Sequence, residues 1–215
     1  MSINKTYAVF GLGKYGKAVA KELVDNGIEV LAIDKNEEIV NEAALEIPVC
    51  KCADVTDPEV IKQLDIGNID VVIVSMAESL EASVMAITLC KEAGVKTIIA
   101  KCSDEIHKKI FSRVGADRVV FPEKESGLRL AKNLLSNGFI DIIGLSKDVS
   151  MVEIPVKAEW IGKNLVELKF RSKYSMNVVA IIKGESVITN IDPTLPLEKN
   201  STLIVIANRD KLERI

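Results

Sequence analysis

Aromatic residues are scarce in this chain: Phe, Tyr and Trp together make up 4% of 215 residues, against 48% hydrophobic residues overall. Val, Ile, Leu and Ala must therefore carry the interior, as in an α/β protein with a buried parallel sheet. A basic excess is also missing. The net charge is −3, which argues against a nucleic-acid partner, because phosphate backbones reward basic faces. The charge is divided as −5 over residues 1–144 and +2 over residues 145–215, a difference that ordinary surface charge covers. No apolar run approaches the roughly 18 residues needed to span a bilayer, and Met1-Ser2-Ile3-Asn4-Lys5 has no signal-peptide core. The expectation is a soluble, cytoplasmic protein that serves a membrane process only through a partner.

Histidine is limited to His107, in Asp104-Glu105-Ile106-His107-Lys108-Lys109, a polar stretch on which a solvated ring is expected. The four cysteines are Cys50, Cys52, Cys90 and Cys102. Cys50 and Cys52 share one face of a predicted strand, but no second pair or nearby histidine completes a tetrahedral metal set. All four read as small buried apolar residues in a reducing compartment.

What is present begins at Tyr7. Tyr7-Ala-Val-Phe10 leads into the glycine turn Gly11-Leu12-Gly13-Lys14-Tyr15-Gly16, then a helical stretch, then Val30-Leu31-Ala32-Ile33 ending at Asp34. This is a G-x-G-x-x-G turn between strand and helix. Gly11 permits the tight turn, Gly13 lets a phosphate approach the backbone, and Gly16 lets helix and strand pack closely. The helix N-terminus offers unpaired N–H groups to the phosphates. Asp34 lies 18 residues after Gly16, close to the roughly 20-residue interval of an acid that holds a ribose hydroxyl. A glycine turn alone is weak evidence; the strand, helix and acid around it make a nucleotide site.

The alternation continues. Strands are predicted at Thr6–Phe10, Glu29–Asp34, Val49–Cys52, Val71–Ser75, Thr97–Ala100 and Arg118–Phe121. Helices are predicted at Tyr15–Asn26, Glu37–Ala44, Pro58–Leu64, Leu80–Glu92, Asp104–Val114 and Lys124–Asn137. Asp57-Pro58 supplies an N-cap and a first-turn proline, and Gly27, Gly94 and Gly115 stand where helices should stop. Strict alternation implies right-handed βαβ units and a Rossmann-like, doubly wound parallel sheet of order 3-2-1-4-5-6. Beyond Gly144 the pattern becomes a small α+β unit: a strand at Ser150–Pro155, a helix at Ile161–Lys173, then strands at Asn177–Lys183, Ser186–Asn190 and Ser201–Ala207. The expected domains are residues 1–144 and 145–215. The second is small for a self-sufficient core and should pair with a copy of itself or rest on a neighbour.

Three further features carry a family resemblance. Cys52-Ala-Asp-Val-Thr-Asp57 follows strand three, Gly115-Ala-Asp-Arg-Val-Val-Phe-Pro-Glu123 closes the first domain, and a 70-residue α+β domain follows. Over essentially its whole length the chain resembles the RCK family (regulators of potassium conductance), and within it the soluble regulatory subunits of Trk/Ktr-type potassium uptake systems. The resemblance implies an RCK_N nucleotide domain followed by an RCK_C (TrkA_C) dimerisation and ligand domain. It also implies homodimers that assemble into an octameric ring beneath a membrane potassium-translocating subunit of the KtrB/TrkH kind, peripheral to the inner face of the plasma membrane. ATP, ADP or NAD(H) in the clefts would change the ring and so gate the partner.

Position by position, the resemblance gives Gly11, Leu12, Gly13, Lys14, Tyr15 and Gly16 the phosphates, and Asp34 with Lys35 the ribose. Asp54 and Val55 flank the adenine, Ser75, Met76, Ala77 and Glu78 line the phosphate side, and Lys101 reaches the nucleotide. Glu123 and its dimer mate hold Mg2+ or another cation near the γ-phosphates. In the second domain, Leu165, Arg171, Met176, Asn177, Val178 and Pro193 match positions that bind cyclic di-AMP. The chain departs from the family pattern at Lys14, where arginine is frequent, at Phe121, where histidine is frequent, and at Met176, where a polar residue is common. Lysine keeps the charge of arginine without its planar fork. Plainer readings stand beside these: Asp54 and Asp57 as loop and cap residues, Lys101 as a solvated strand end, Glu123 as a helix-N-terminal acid, Arg171 as a helix-end residue.

Two rival functions share the glycine motif. A nicotinamide-dependent oxidoreductase needs a substrate domain with a general acid or base. Only about 70 residues follow the sheet, and His107 precedes its sixth strand, so no enzyme is expected. An NAD(H)-binding redox sensor unconnected with potassium fits the same residues. Asp34 disfavours the 2′-phosphate of NADP but does not separate NAD from ATP or ADP.

Overall fold

The computed structural model describes residues 5–76, 79–135, 142–146, 148–208 and 211. The chain divides into two compact units, Met1–Glu123 and Lys124–Ile215. In the first, strands β1 (Tyr7–Phe10), β2 (Val30–Asp34), β3 (Cys50–Cys52), β4 (Val71–Val74), β5 (Thr97–Lys101) and β6 (Arg118–Val120) alternate with helices. The helices are α1 (Lys14–Asp25), α2 (Glu37–Ala43), α3 (Pro58–Gln63), α4 (Leu80–Glu92), α5 (Glu105–Val114) and α6 (Pro122–Leu135), the last running on into the second unit. All strand pairs are parallel, in the order β3-β2-β1-β4-β5-β6. The expected winding is therefore present, and its direction reverses between β1 and β4.

Both faces of the sheet are covered, which explains the apolar runs. Side chains alternate along a strand, so Ala8, Phe10, Val72, Val74, Ile98 and Ala100 meet Ala86, Ile87, Cys90 and Phe111 from α4 and α5 on one side. Val9, Ala32, Val71 and Ile73 meet Ala20 of α1 and Ala43 and Ile47 at the end of α2 on the other. Every residue of β4 is buried. Gly27, Gly94 and Gly115 have φ of 77°, 86° and 122° and end α1, α4 and α5 as expected.

β3 lies at the sheet's edge and its side chains are half-buried or exposed. This corrects the reading of the cysteines. Cys90 and Cys102 are buried, but Cys50 is only half-buried and Cys52 is exposed, because an edge strand has no neighbour to cover it. Burial pushes the Cys90 thiol up to about 12, leaving it protonated and inert.

The second unit holds β7 (Ile142–Gly144), β8 (Val149–Pro155), β9 (Met176–Lys183), β10 (Ser186–Ile188) and β11 (Ser201–Asn208) in an antiparallel sheet of order β10-β9-β11-β8-β7. Its core gathers Val152, Ile154, Leu203 and Val205 against Trp160 and Phe170. The Trp160 ring meets Phe170 edge-on at 5.1 Å and donates its Nε1–H to Tyr174 Oη at 3.3 Å. The predicted Ile161–Lys173 helix is mostly absent. Only α7 (Phe170–Tyr174) is helical. The preceding N–H groups bond elsewhere: Gly162 to Leu197 O at 2.9 Å and Val166 to Pro193 O at 3.4 Å, while Lys163 O accepts from Leu197 at 2.8 Å. Bonds to the loop before β11 take the N–H groups of Gly162 and Val166, and local turns such as Leu168 to Asn164 O at 3.0 Å complete the segment without a continuous i→i−4 ladder. β7 was not anticipated, and residues 136–137 of the expected Lys124–Asn137 helix lie outside the described residues.

Two expectations for stability follow from the sheet. A Cβ on Gly16 would lie 1.9 Å from Gly11 O, so Gly16→Ala should cost about 1–3 kcal/mol or more by overpacking, read from urea unfolding; unchanged stability would refute the backbone contact. At the sheet's other end, Asp70 accepts from Thr6 N–H at 3.0 Å and from Lys96 Nζ at 2.7 Å. The hydrogen bond from Lys96 is the main cause that draws its carboxyl from 3.8 down to about 2. A lowered folded pKa stabilises above pH 4 and is lost as pH falls toward 2. Asp70→Asn should therefore flatten the loss of stability between pH 4 and pH 2.

Candidate functional site

The carboxyl ends of β1, β2, β4 and β5 surround the point where the winding reverses, the usual place for a ligand in such sheets. The glycine turn sits there. Gly11 has φ of 87°, and a Cβ on it would come within 2.9 Å of Met76 Cγ and 3.1 Å of the Ser75 backbone. It needs to be glycine both for its conformation and for its contact with the strand-four loop. Gly16 is held against Gly11 O. Gly13 is different: a Cβ there would meet nothing within 4 Å. No protein atom demands its smallness, and the open space lies at the start of α1.

That helix start is also unlike its neighbours. Asn36 caps α2, Asp57 caps α3, Ser79 caps α4 and Asp104 caps α5, each with a side-chain oxygen that accepts backbone N–H groups. Gly13 caps α1 with no side chain, and no acid lies in the first turn. The first N–H groups of α1 thus have no side-chain partner there, while the helix dipole favours negative charge at that end. Lys14 is exposed beside them.

Asp34 is braced for its position. Its Oδ2 accepts from Leu12 N–H at 2.7 Å and its Oδ1 from Asn36 N–H at 2.9 Å. One carboxylate therefore ties the glycine loop to the loop after β2, with a lone pair left on each oxygen for a hydroxyl donor. Lys35 follows, exposed. Asp54, exposed beyond β3, accepts from the N–H and Oγ1 of Thr56 at 2.9 and 2.7 Å. The side-chain bond from Thr56 is the main cause that holds its carboxyl below the ordinary range.

Lys101 ends β5, with its side chain 17% exposed. Its ammonium lies 5.8 Å from the centre of the Tyr15 ring and 2.6 Å from Glu123 Oε1. Glu123 stands in the first turn of α6. Lys101 chiefly, through this hydrogen bond, draws its carboxyl below the ordinary range. As arranged, Lys101 occupies one oxygen of the Glu123 carboxylate, whose side chain is 61% exposed. Among the described residues no three His, Cys, Asp or Glu converge to hold a metal.

Several expected positions are corrected. The Val55 side chain is 4% exposed and belongs to the sheet core with Ile33 and Ile61, which leaves its backbone as the part that could flank a ligand. Leu12 is likewise buried, and only its backbone faces the site. Ala77 and Glu78 lie outside the described residues. His107 is not solvated: its ring is 21% exposed, receives or donates a hydrogen bond with Ser103 Oγ at 3.0 Å, and lies 5.9 Å from Phe111. Phe111 shares its helix face four residues on and is fully buried, which draws the ring inward.

In the second unit a cavity of about 540 Å³ is lined by Leu165, Arg171, Met176, Val178 and Pro193, five of the six residues expected of a ligand site. Asn177 is not among them. It alternates with Met176 and Val178 along β9 and is exposed on the strand's opposite side. Val166, Lys169, Phe170, Ser172 and Ile191 complete the wall. Lys169 was missed, although its charge two residues before Arg171 was legible. With two cations, no acid and an apolar remainder, the cavity suits an anion that carries flat apolar groups.

The comparisons with known proteins agree with this two-part layout. Residues 7–122 match the TrkA-N domain model and residues 149–215 the TrkA-C domain model. The chain is 38% identical to Ktr system potassium uptake protein C of Bacillus subtilis over 99% of its own length and 96% of that protein's. It is 33% identical to Ktr system potassium uptake protein A of Vibrio alginolyticus, covering 97% and 95%. Among solved structures it superimposes on the GsuK channel bound to NAD with a TM-score of 0.68 at 16% identity. That match covers 98% of this chain and 38% of the channel's. Among the described residues no helix is long and apolar enough to cross a membrane. The chain belongs to the family of Ktr-type potassium uptake proteins built from a TrkA-N and a TrkA-C domain.

Proposed function

We propose that this protein is a nucleotide-binding regulatory subunit that gates a membrane potassium-translocating partner without catalysing a reaction. One observation carries the reading: the open space at Gly13 before an α1 start that no side chain caps, with Asp34 braced beside it. The α1 N–H groups receive the phosphates, Lys14 adds charge, and Asp34 accepts from a ribose hydroxyl. Adenine nucleotides and NAD(H) share the adenosine and phosphate this site would read; the NAD-bound channel of the same fold favours keeping NAD(H) among the candidates. Homodimers assembled into an octameric ring, on the cytoplasmic face of the membrane through the partner, are part of the same proposal, as is a domain boundary at 144/145. A ligand moves such a ring only by binding its two states unequally.

A second ligand is proposed for the 540 Å³ cavity. Cyclic di-AMP has two phosphates for Lys169 and Arg171 and two purines for the apolar wall; arginine meets a phosphate bidentately.

Calorimetric titration of one preparation with ADP, ATP, NADH and cyclic di-AMP tests both sites. At least one adenosine-phosphate ligand should bind below about 100 μM, roughly −5.5 kcal/mol. Gly13→Ala should weaken it more than tenfold with thermal stability retained, since the added methyl meets only open space; unchanged binding in that variant defeats the reading. Arg171→Ala should abolish cyclic di-AMP binding and leave the first ligand untouched. Gel filtration should show dimers or larger rings, and a persistent monomer would count against gating by a ring.

A further inference from the structure

The pairing of Lys101 with Glu123 has a consequence for how the nucleotide site reads phosphate. Lys101 ends β5 with its ammonium 5.8 Å from the Tyr15 ring centre. Tyr15 is the second residue of α1, so this charge faces a side chain of that helix's first turn. Yet the ammonium lies 2.6 Å from Glu123 Oε1 and its side chain is largely covered. An ammonium in contact with one carboxylate is not at the same time fully available to a phosphate.

We infer that Lys101 is an exchangeable phosphate ligand: Glu123 and the outermost phosphate of a bound nucleoside di- or triphosphate compete for its ammonium, and the phosphate takes it over. The inference rests on the nucleotide reading of the glycine loop. Three observations make the exchange feasible. The Glu123 side chain is 61% exposed, and an ion pair open to water on one side is weak. A terminal phosphate carries more charge and more acceptor oxygens than a carboxylate, so it competes well for an ammonium. Lysine suits a partner change better than arginine, because its point charge needs no planar fork.

The exchange makes Glu123 a positioning residue that sets the phosphate requirement. A ligand without an outer phosphate leaves the pair intact and gains nothing from Lys101. A ligand that reaches Lys101 must first separate it from Glu123 and so binds less tightly than the bare lysine would allow. It also leaves an unpaired carboxylate in the first turn of α6, the helix that continues past the end of the first unit. Nucleotide binding therefore changes the charge balance at that helix start.

The test is calorimetric titration of the full-length protein with ADP and with adenosine, without divalent metal. Four proteins are compared: the unaltered chain, Glu123→Gln, Lys101→Gln and the double variant. Glu123→Gln should bind ADP about tenfold more tightly and Lys101→Gln about tenfold more weakly. The double variant should match Lys101→Gln, because the gain exists only through the lysine. Adenosine should bind all four alike. Lys101→Arg, which keeps the pair, should retain ADP binding and guards against a misfolded Lys101→Gln. The inference is overturned if Glu123→Gln binds ADP no more tightly, if its gain persists without Lys101, or if adenosine shows the same gain. Failure of the unaltered chain to bind ADP is a separate result, which overturns this inference, whereas the nucleotide reading falls only if ATP and NADH fail as well.

Discussion

Everything around the glycine turn at the carboxyl end of the sheet depends on one close approach between two stretches of backbone. Gly16 sits so near the Gly11 carbonyl that a Cβ would lie 1.9 Å from it. That contact sets how steeply α1 leaves β1 and so where its first N–H groups point. Asp34 then closes the loop from the next strand by accepting from Leu12 N–H at 2.7 Å. Two glycines and one carboxylate of the chain itself thus aim a helix dipole over the carboxyl ends of β1 and β4. Preorganisation of this kind spares a ligand the cost of ordering the loop.

Charge is distributed around that dipole in a consistent way. Four of the first five helices neutralise their own N-termini with Asn36, Asp57, Ser79 or Asp104, and α1 does not. α1 is instead tied down along its length, where Lys17 bridges Glu42 and Glu46 and Lys21 reaches Glu46. These pairs are individually weak, but they keep Lys17 and Lys21 occupied with the α2 region and leave Lys14 as the lysine of α1 at the glycine loop. Lys101 and Glu123 form the corresponding pair on the other side. The glycine-turn end of the sheet therefore holds opposite charges paired on both sides of α1.

The second unit solves a different problem with a segment that sequence pattern alone misreads. Residues 161–169 have helical periodicity, but their polar backbone is used to hold the loop before β11. Freed from a helix, Leu165, Val166 and Lys169 wrap around the open side of β9 and enclose a cavity with Arg171. Lys169 pays for the bend with φ of 51°, a conformation that residues with a Cβ rarely adopt.

Local chemistry was enough to read the strand-turn-helix at Gly11–Gly16, the acid at Asp34 and the alternation that dictates the winding of the sheet. Those features depend on neighbours within one βαβ unit, whose patterns of two and 3.6 are written in consecutive residues. What depended on distant partners was not legible. Cys52 is exposed because β3 has no strand beyond it, Val55 is sealed in the core by Ile33 and Ile61, and His107 turns inward toward Phe111. The sequence by itself determined that a glycine turn joins β1 to α1 with an acid at the end of β2. Only the tertiary structure decided that Gly13 faces open space, that Asn177 points away from the cavity and that Lys101 is held by Glu123, because each follows from packing residues far apart in the chain.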